Sequence, residues 1–322
     1  MAKLYLHVGM PKTGTSYIQA YMNLNVKRLK ADHDVEVVSG RDPHILACEH
    51  IKDARLQKRE DIKGLLQEKK LADISQRLSK FSSGSVVICS SEYFTLSDKK
   101  SVLNYFFSFF DDVEVIYTVR RQDKLLASGF NQDVKALGRT SNLVWSKNDK
   151  LLDYHSNCKE WRNLGAEVSI INFDQVRKSK QNLEKVFLKL CGVGGDLSGY
   201  TIPDSVGANY SLKRREVLLK LALNRRGVEM PEVMEKFINF NNQDVEFALP
   251  KYYERVMMSY YSDSNKKFAE EFCGDSDMTE FFALSATTNS VDKFEWNPIG
   301  DSELIINFLI DFVVGQEFGK NE

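Results

Sequence analysis

Leu4-Tyr5-Leu6-His7-Val8-Gly9-Met10-Pro11-Lys12-Thr13-Gly14-Thr15-Ser16 is the stretch that decides how this chain is read. Residues 4–8 are a short apolar run stopped by a glycine, which reads as a buried strand. From Tyr17 onward, Ile18, Tyr21 and Met22 fall at helical spacing. Between the two lies Gly9-x-x-x-x-Gly14-Thr15-Ser16. Glycines let the backbone curl until successive N–H groups point at one anion. The helix that follows adds the partial positive charge of its N-terminus. The spacing alone is weak evidence, and its place between a strand and a helix makes it a phosphate loop. The triphosphatase version of such a loop has lysine directly after the second glycine. Here Thr15 stands in that position, and the lysine is Lys12, inside the loop.

Outward from the loop, strand and helix patterns alternate. Residues 35–38, 86–89, 113–119 and 168–173 are strand candidates. Residues 58–81 carry Ile62, Leu65, Leu66, Ile74, Leu78 and Phe81 at helical spacing and read as one helix. Residues 103–110 read as an apolar, aromatic helix end. Leu125, Leu126, Phe130, Val134 and Leu137 mark a further helix, as do residues 151–164 and 183–190, the last closed by Gly192. From about residue 203 the pattern is helix-rich, with no clear strand. Alternation of this kind predicts an α/β fold, a parallel sheet flanked by helices, with a helical C-terminal extension. The expected organisation is a single domain over 1–322, with an α/β core at 1–200 and a mainly helical extension at 201–322.

The chain has 322 residues, 43% of them hydrophobic and 28% charged, the composition of a globular protein with a sizeable core. Its net charge is −1, from 44 basic and 45 acidic residues, so no global basic field exists for nucleic acid and any anion site must be local. Cys48, Cys89, Cys158, Cys191 and Cys273 are scattered, odd in number and without a C-x-x-C pair, which fits a reducing compartment. No apolar stretch is long enough to read as an integral membrane segment, and the N-terminus lacks the apolar run of a signal peptide. The expected location is cytoplasmic. Oligomeric state is not readable from the sequence.

A second motif follows the strand at 113–119. Arg120-Arg121-Gln122-Asp123-Lys124-Leu125-Leu126-Ala127-Ser128 sets an arginine at a strand end and a serine eight residues on. Alone, Arg120 is equally a surface ion-pair residue and Ser128 a plain helix residue. Downstream of the phosphate loop, their joint spacing gains meaning. Pro11-Lys12-Thr13-Gly14-Thr15-Ser16 resembles the 5′-phosphosulfate loop of the sulfotransferases that use PAPS (3′-phosphoadenosine 5′-phosphosulfate), and the Arg120/Ser128 pair resembles that family's 3′-phosphate element. The resemblance implies a P-loop-like sulfotransferase fold and transfer of a sulfuryl group from PAPS to an acceptor hydroxyl, leaving PAP, with no metal required. It implies that Lys12 reaches the oxygen bridging phosphate and sulfate, that Thr13 to Ser16 hold the 5′-phosphate, and that Arg120 and Ser128 bind the 3′-phosphate. Arg121 competes with Arg120 for that role. Looser matches are Ile171-Asn172-Phe173-Asp174-Gln175-Val176, where Asp174-Gln175 departs from the family's Glu-Asp, and Asn209-Tyr210-Ser211-Leu212. The wording of Arg120-Arg121-Gln122-Asp123 and Phe130-Asn131-Gln132 is similar to bacterial, saccharide-directed branches. A carbohydrate or glycolipid acceptor, and so polysaccharide sulfation, is the expectation that follows.

Sulfuryl transfer needs a base for the acceptor proton. Glu92 closes the strand at 86–89 and is expected at the ligand edge of the sheet. His44, in Gly40-Arg41-Asp42-Pro43-His44, is expected in a loop. Glu92 is favoured narrowly, and both stay open. His7 is a strand residue expected to pack. His44, Cys48 and His50 lack a fourth ligand at a recognisable spacing, so no metal site is expected. Two other readings remain. A P-loop small-molecule kinase wants lysine at position 15 and a strand-end aspartate for Mg²⁺. A non-catalytic nucleotide- or sugar-binding module would bind PAP without turnover.

Overall fold

The computed structural model describes residues 2–81, 84–147, 149–204, 211–240, 245–274 and 282. β1 (Ala2–Gly9) pairs in parallel with β3 (Val86–Ser90) on one side and β4 (Phe110–Val119) on the other. β2 (Val35–Val38) lies beyond β3, and β5 (Glu167–Asn172) beyond β4, giving five parallel strands in the order β2-β3-β1-β4-β5. A strand covered on both faces has no need to alternate polar and apolar residues. Leu4, Leu6 and Val8 on one face of β1, and Tyr5 and His7 on the other, are buried accordingly, and each of the three aliphatic side chains contributes about 1.5–3 kcal/mol relative to an exposed one.

Parallel neighbours require crossovers, and helices supply them. α1 (Thr15–His33) carries the chain from β1 past β3 to β2. Four short helices fill the next crossover: α2 (Asp42–Glu49), α3 (Ala54–Gln57), α4 (Glu60–Leu66) and α5 (Leu71–Leu78). α6 (Lys99–Phe106) precedes β4, α7 (Gln122–Ala136) and α8 (Tyr154–Asn163) precede β5, and α9 (Phe173–Lys178) and α10 (Leu183–Leu190) follow it. Tyr5, Ile88, Ile116 and Ile171 pack on one face of the sheet with Ile18, Tyr21, Met22 and Leu29 of α1, Val176 of α9, and Phe187 and Leu188 of α10. Tyr117, on the other face, meets Tyr154 of α8 at 6.4 Å between ring centres. Strand order reverses around β1, so the carboxyl ends at Gly9, Ser90, Val119 and Asn172 surround the crevice where such sheets bind ligands.

The α/β architecture matches the sequence reading, and three local features differ from it. The single helix expected over 58–81 is two, α4 and α5, separated by Gln67-Glu68-Lys69-Lys70, with Lys69 in the left-handed region at φ 50°. Each buries its own apolar pair, Ile62/Leu65 and Ile74/Leu78, so the spacing is continuous although the backbone turns. The strand expected at 113–119 begins at Phe110, because the buried Phe110 extends it past exposed Asp111 and Asp112. His44 lies in the first turn of α2, not in a loop, since Pro43 near the helix start favours helix initiation.

The chain divides into two compact units. One comprises Met1–Arg121, Asp149–Ser205 and Tyr261–Phe282, and the other includes Gln122–Asn148 and Val206–Tyr260. The boundary expected at 200/201 thus does not coincide with this division, because the segment carrying α7 groups with the later helices. Within the second unit, Phe130 and Val134 of α7 bury against Leu212 and against Val217 and Leu221 of α11 (Arg214–Arg225). Asn131 locks that core by bonding both the N–H and the C=O of Leu212, at 3.1 and 2.6 Å. Helices α12 (Pro231–Phe240) and α13 (Lys251–Phe268) follow along the chain, and α13 runs on into a π-helical turn at Ala269–Cys273. In the described part of residues 201–322, the one pairing of strand type is an isolated bridge between Lys213 and Glu246. Asn209 and Tyr210 lie outside the described residues. Among those described, no helix is long and apolar enough to cross a membrane.

Candidate functional site

The loop from Gly9 to Thr15 is built by two glycines and one strained lysine. A Cβ on Gly9 would come within 1.9 Å of Thr15 Oγ1, so only glycine lets α1 begin this close to the end of β1. Gly14 caps α1 at φ 81°, a left-handed conformation that glycine adopts without penalty. Lys12 is also left-handed, at φ 66°, which costs a non-glycine residue about 1–2 kcal/mol. Alternation of such residues is what turns consecutive N–H groups toward a common point. Thr13 is wholly buried and donates its hydroxyl to the Met10 carbonyl, so it offers an anion its backbone rather than its side chain. The Met10 N–H bonds the Thr118 carbonyl at 3.3 Å and ties the loop to β4. Pro11 and Ser16 are exposed and Lys12 is half-buried.

Beneath the loop, His7 is wholly buried on β1, with Nδ1 2.8 Å from Ser90 Oγ of β3 and Nε2 2.9 Å from Thr118 Oγ1 of β4. Burial pushes the imidazole down to about 3, so His7 is neutral and joins three strands at the root of the loop. It packs, in line with the sequence reading.

Arg120, the first residue after β4, meets the loop through an aromatic intermediary. Its guanidinium lies over the Phe173 ring, 5.6 Å from the centre, and its Nε donates to Asp174 Oδ1 at 3.2 Å. Phe173 is also the wall beside Gly14, since a Cβ there would fall 2.9 Å from Phe173 Cε2 and 2.5 Å from Leu183 Cδ2. The β5–α9 corner therefore brings Arg120 and the loop together. Asp174 Oδ2 accepts the Arg121 N–H at 3.3 Å, and the Tyr154 hydroxyl donates to the Arg120 carbonyl at 2.7 Å. Ser128 lies on α7, which belongs to the second unit.

The two base candidates, which come from separate stretches of sequence, are neighbours. Glu92 opens a 3-10 turn (Glu92–Thr95) directly after β3. His44 Nδ1 lies 2.8 Å from Ser91 Oγ and 3.9 Å from Glu92 Oε2, the latter being a contact of charges rather than a hydrogen bond. Ser91 Oγ also accepts the Tyr93 N–H at 3.1 Å. In the tautomer with its proton on Nδ1, His44 donates to Ser91 and leaves Nε2 bare. Burial lowers the His44 pKa, with Glu92 pulling it up and Arg41 pushing it down, so His44 is neutral at pH 7. Gln19, one turn into α1, donates to the Ser90 carbonyl at 3.1 Å and to Glu92 Oε2 at 3.2 Å, which ties the carboxylate to the helix that starts at the loop.

Gln19, Ser91 and Tyr154 carry no motif that marks them in the sequence, and Phe173 and Asp174 fall only within a loose match. His50, grouped with His44 and Cys48 in sequence, instead bonds Ser101 at 2.9 Å, and Cys48 is buried. Among the described residues, no three His, Cys, Asp or Glu side chains gather as metal ligands would.

No protein-family model matches the chain. No curated protein matches it in sequence. Among solved structures it is similar to the crystal structure of a sulfotransferase from Alicyclobacillus acidocaldarius, with a TM-score of 0.49 and 11% identity, covering 86% of this chain and 98% of that one. A likeness of that degree assigns no residue and no activity to this chain.

Proposed function

We propose that this protein is a sulfotransferase that moves the sulfuryl group of PAPS to an acceptor hydroxyl, with a carbohydrate or glycolipid as the acceptor class. The observation that carries the reading is the arrangement of the loop. Lys12 lies inside it, Thr15 stands where a triphosphatase has its lysine, and Phe173 links the loop to Arg120. The loop N–H groups and the start of α1 suit a 5′-phosphate, and the collision that a Cβ on Gly9 or Gly14 would cause reflects how little space the curl leaves. A guanidinium fork suits a 3′-phosphate dianion. Ser128 is retained as its second ligand on sequence spacing alone.

In the reaction, the acceptor oxygen attacks sulfur, the bond from sulfur to the 5′-phosphate oxygen breaks, and the acceptor proton passes to Glu92 or His44. Negative charge appears on the departing oxygen, where Lys12 would stabilise it more in the transition state than in the ground state. The loop amides and Lys12 supply positive charge to a sulfuryl group that carries less negative charge than a phosphoryl group, so the reading requires no metal.

The test is transfer of labelled sulfate from PAPS to an acceptor panel, with product masses determined, alongside thermal melting with PAP in chelator and with ATP plus Mg²⁺. Transfer to a sugar hydroxyl and a shift by PAP alone are expected. A shift by ATP–Mg²⁺ with none by PAP would replace this reading with a kinase. A PAP shift with no transfer to any acceptor would leave a binding module.

A further inference from the structure

Asp174 belongs to neither of the two specific donor motifs, yet it fixes the direction in which Arg120 points. We infer that Asp174 is a positioning residue for the 3′-phosphate contact of Arg120, an inference that rests on the donor reading above. A carboxylate can take a guanidinium bidentately, neutralising it and occupying its fork, or from one side through a single N–H. Here the pairing is of the second kind, through Nε to Asp174 Oδ1 at 3.2 Å. The other carboxylate oxygen is engaged by the Arg121 N–H at 3.3 Å, which keeps the group from swinging into a bidentate grip. Phe173 takes the face of the guanidinium, and Tyr154 holds the Arg120 carbonyl. Arg120 and Asp174 side chains are only 15% and 9% exposed, so this geometry is enclosed. Among the described residues, neither Arg120 Nη group has a protein partner. The half of the fork that remains is the half that binds a phosphate dianion edge-on.

A carboxylate near a dianion also repels it, so the sign of the effect separates positioning from competition. The experiment is calorimetric titration of the full chain with PAP and with adenosine 5′-monophosphate, which is PAP without its 3′-phosphate. It is run for wild type, Arg120→Ala, Asp174→Ala and Asp174→Asn, each checked for folding by circular dichroism. Asp174→Ala is expected to weaken PAP about tenfold or more while changing the monophosphate little. Asp174→Asn, which keeps one acceptor oxygen, is expected to fall between wild type and alanine, and it decides the question should the alanine variant fail to fold. Tighter PAP binding in either variant would make Asp174 a mere competitor, and equal weakening of both ligands would make it merely structural. Either result overturns the inference. If Arg120→Ala selectively weakens PAP but both Asp174 variants bind like wild type, the inference alone fails. If Arg120→Ala leaves the ratio of the two affinities unchanged, Arg120 is not at the 3′-phosphate, and the inference falls together with that part of the donor reading.

Discussion

Lys12 combines a left-handed backbone with a side chain to which the proposed reaction gives a role, and the two can be separated by substitution. Lys12→Ala keeps the backbone problem and removes the ammonium. PAP affinity is expected to fall modestly, because PAP retains the 5′-phosphate, while kcat falls much further. Single-turnover sulfate transfer beside PAP titration checks this, and near-normal turnover would end the assigned role. The Glu92/His44 contact changes how the base is tested, since neither group can be altered without affecting the other. Glu92→Gln is expected to preserve PAP binding and lower transfer by ~10²-fold or more, the usual scale of general acid–base help. It also removes the carboxylate that raises the His44 pKa, so any remaining acid limb of the pH–rate profile should move further below the ordinary histidine value of about 6.5. His44→Ala is expected mainly to raise the acceptor KM. Loss of turnover in His44→Ala beside an active Glu92→Gln would exchange the two roles. Each residue is legible in the sequence, but their adjacency is not, because 47 positions separate His44 from Ser91 and only the packing of α2 against the end of β3 joins them.

At the scale of elements, the sheet stands on strands whose apolar runs are short and bounded, which is why all five are legible in the amino-acid pattern. Helix boundaries are less legible where polar turns lack glycine or proline, as between α4 and α5, and where proline opens a helix, as at His44. Gln19 gives no sequence signal, because its partner Glu92 lies 73 residues away. His7 produces an element-scale effect that can be measured. Its pKa is lowered in the folded protein, so the unfolded chain binds a proton that the native state refuses. Its contribution is therefore present above the unfolded value of about 6.5 and is lost as pH falls from there toward 3. Between pH 7 and pH 5 this one group should remove about 2 kcal/mol of stability. Urea unfolding of wild type and His7→Gln at both pH values checks it. His44 and His50 are lowered too, so the difference between the proteins is the quantity read. An equal loss in both would exclude His7 as the source.

At the scale of the molecule, the sheet unit is assembled from three separated stretches of chain, which no reading of local pattern predicts. The loop and the strand-end arginine are legible as motifs because each is compact in sequence. What relates them is the β5–α9 corner, more than fifty residues beyond Arg120, where Phe173 touches the Gly14 position and carries the Arg120 guanidinium on its ring. One side chain thus abuts both elements to which the proposed function gives an anion contact. In an evolving lineage, a change of size at position 173 alters both together, so the donor end should drift as a block. On that reading a lineage seeking a different nucleotide would meet strong epistasis there, while the Glu92 end, which Gln19 ties to α1, stays freer to explore new acceptors.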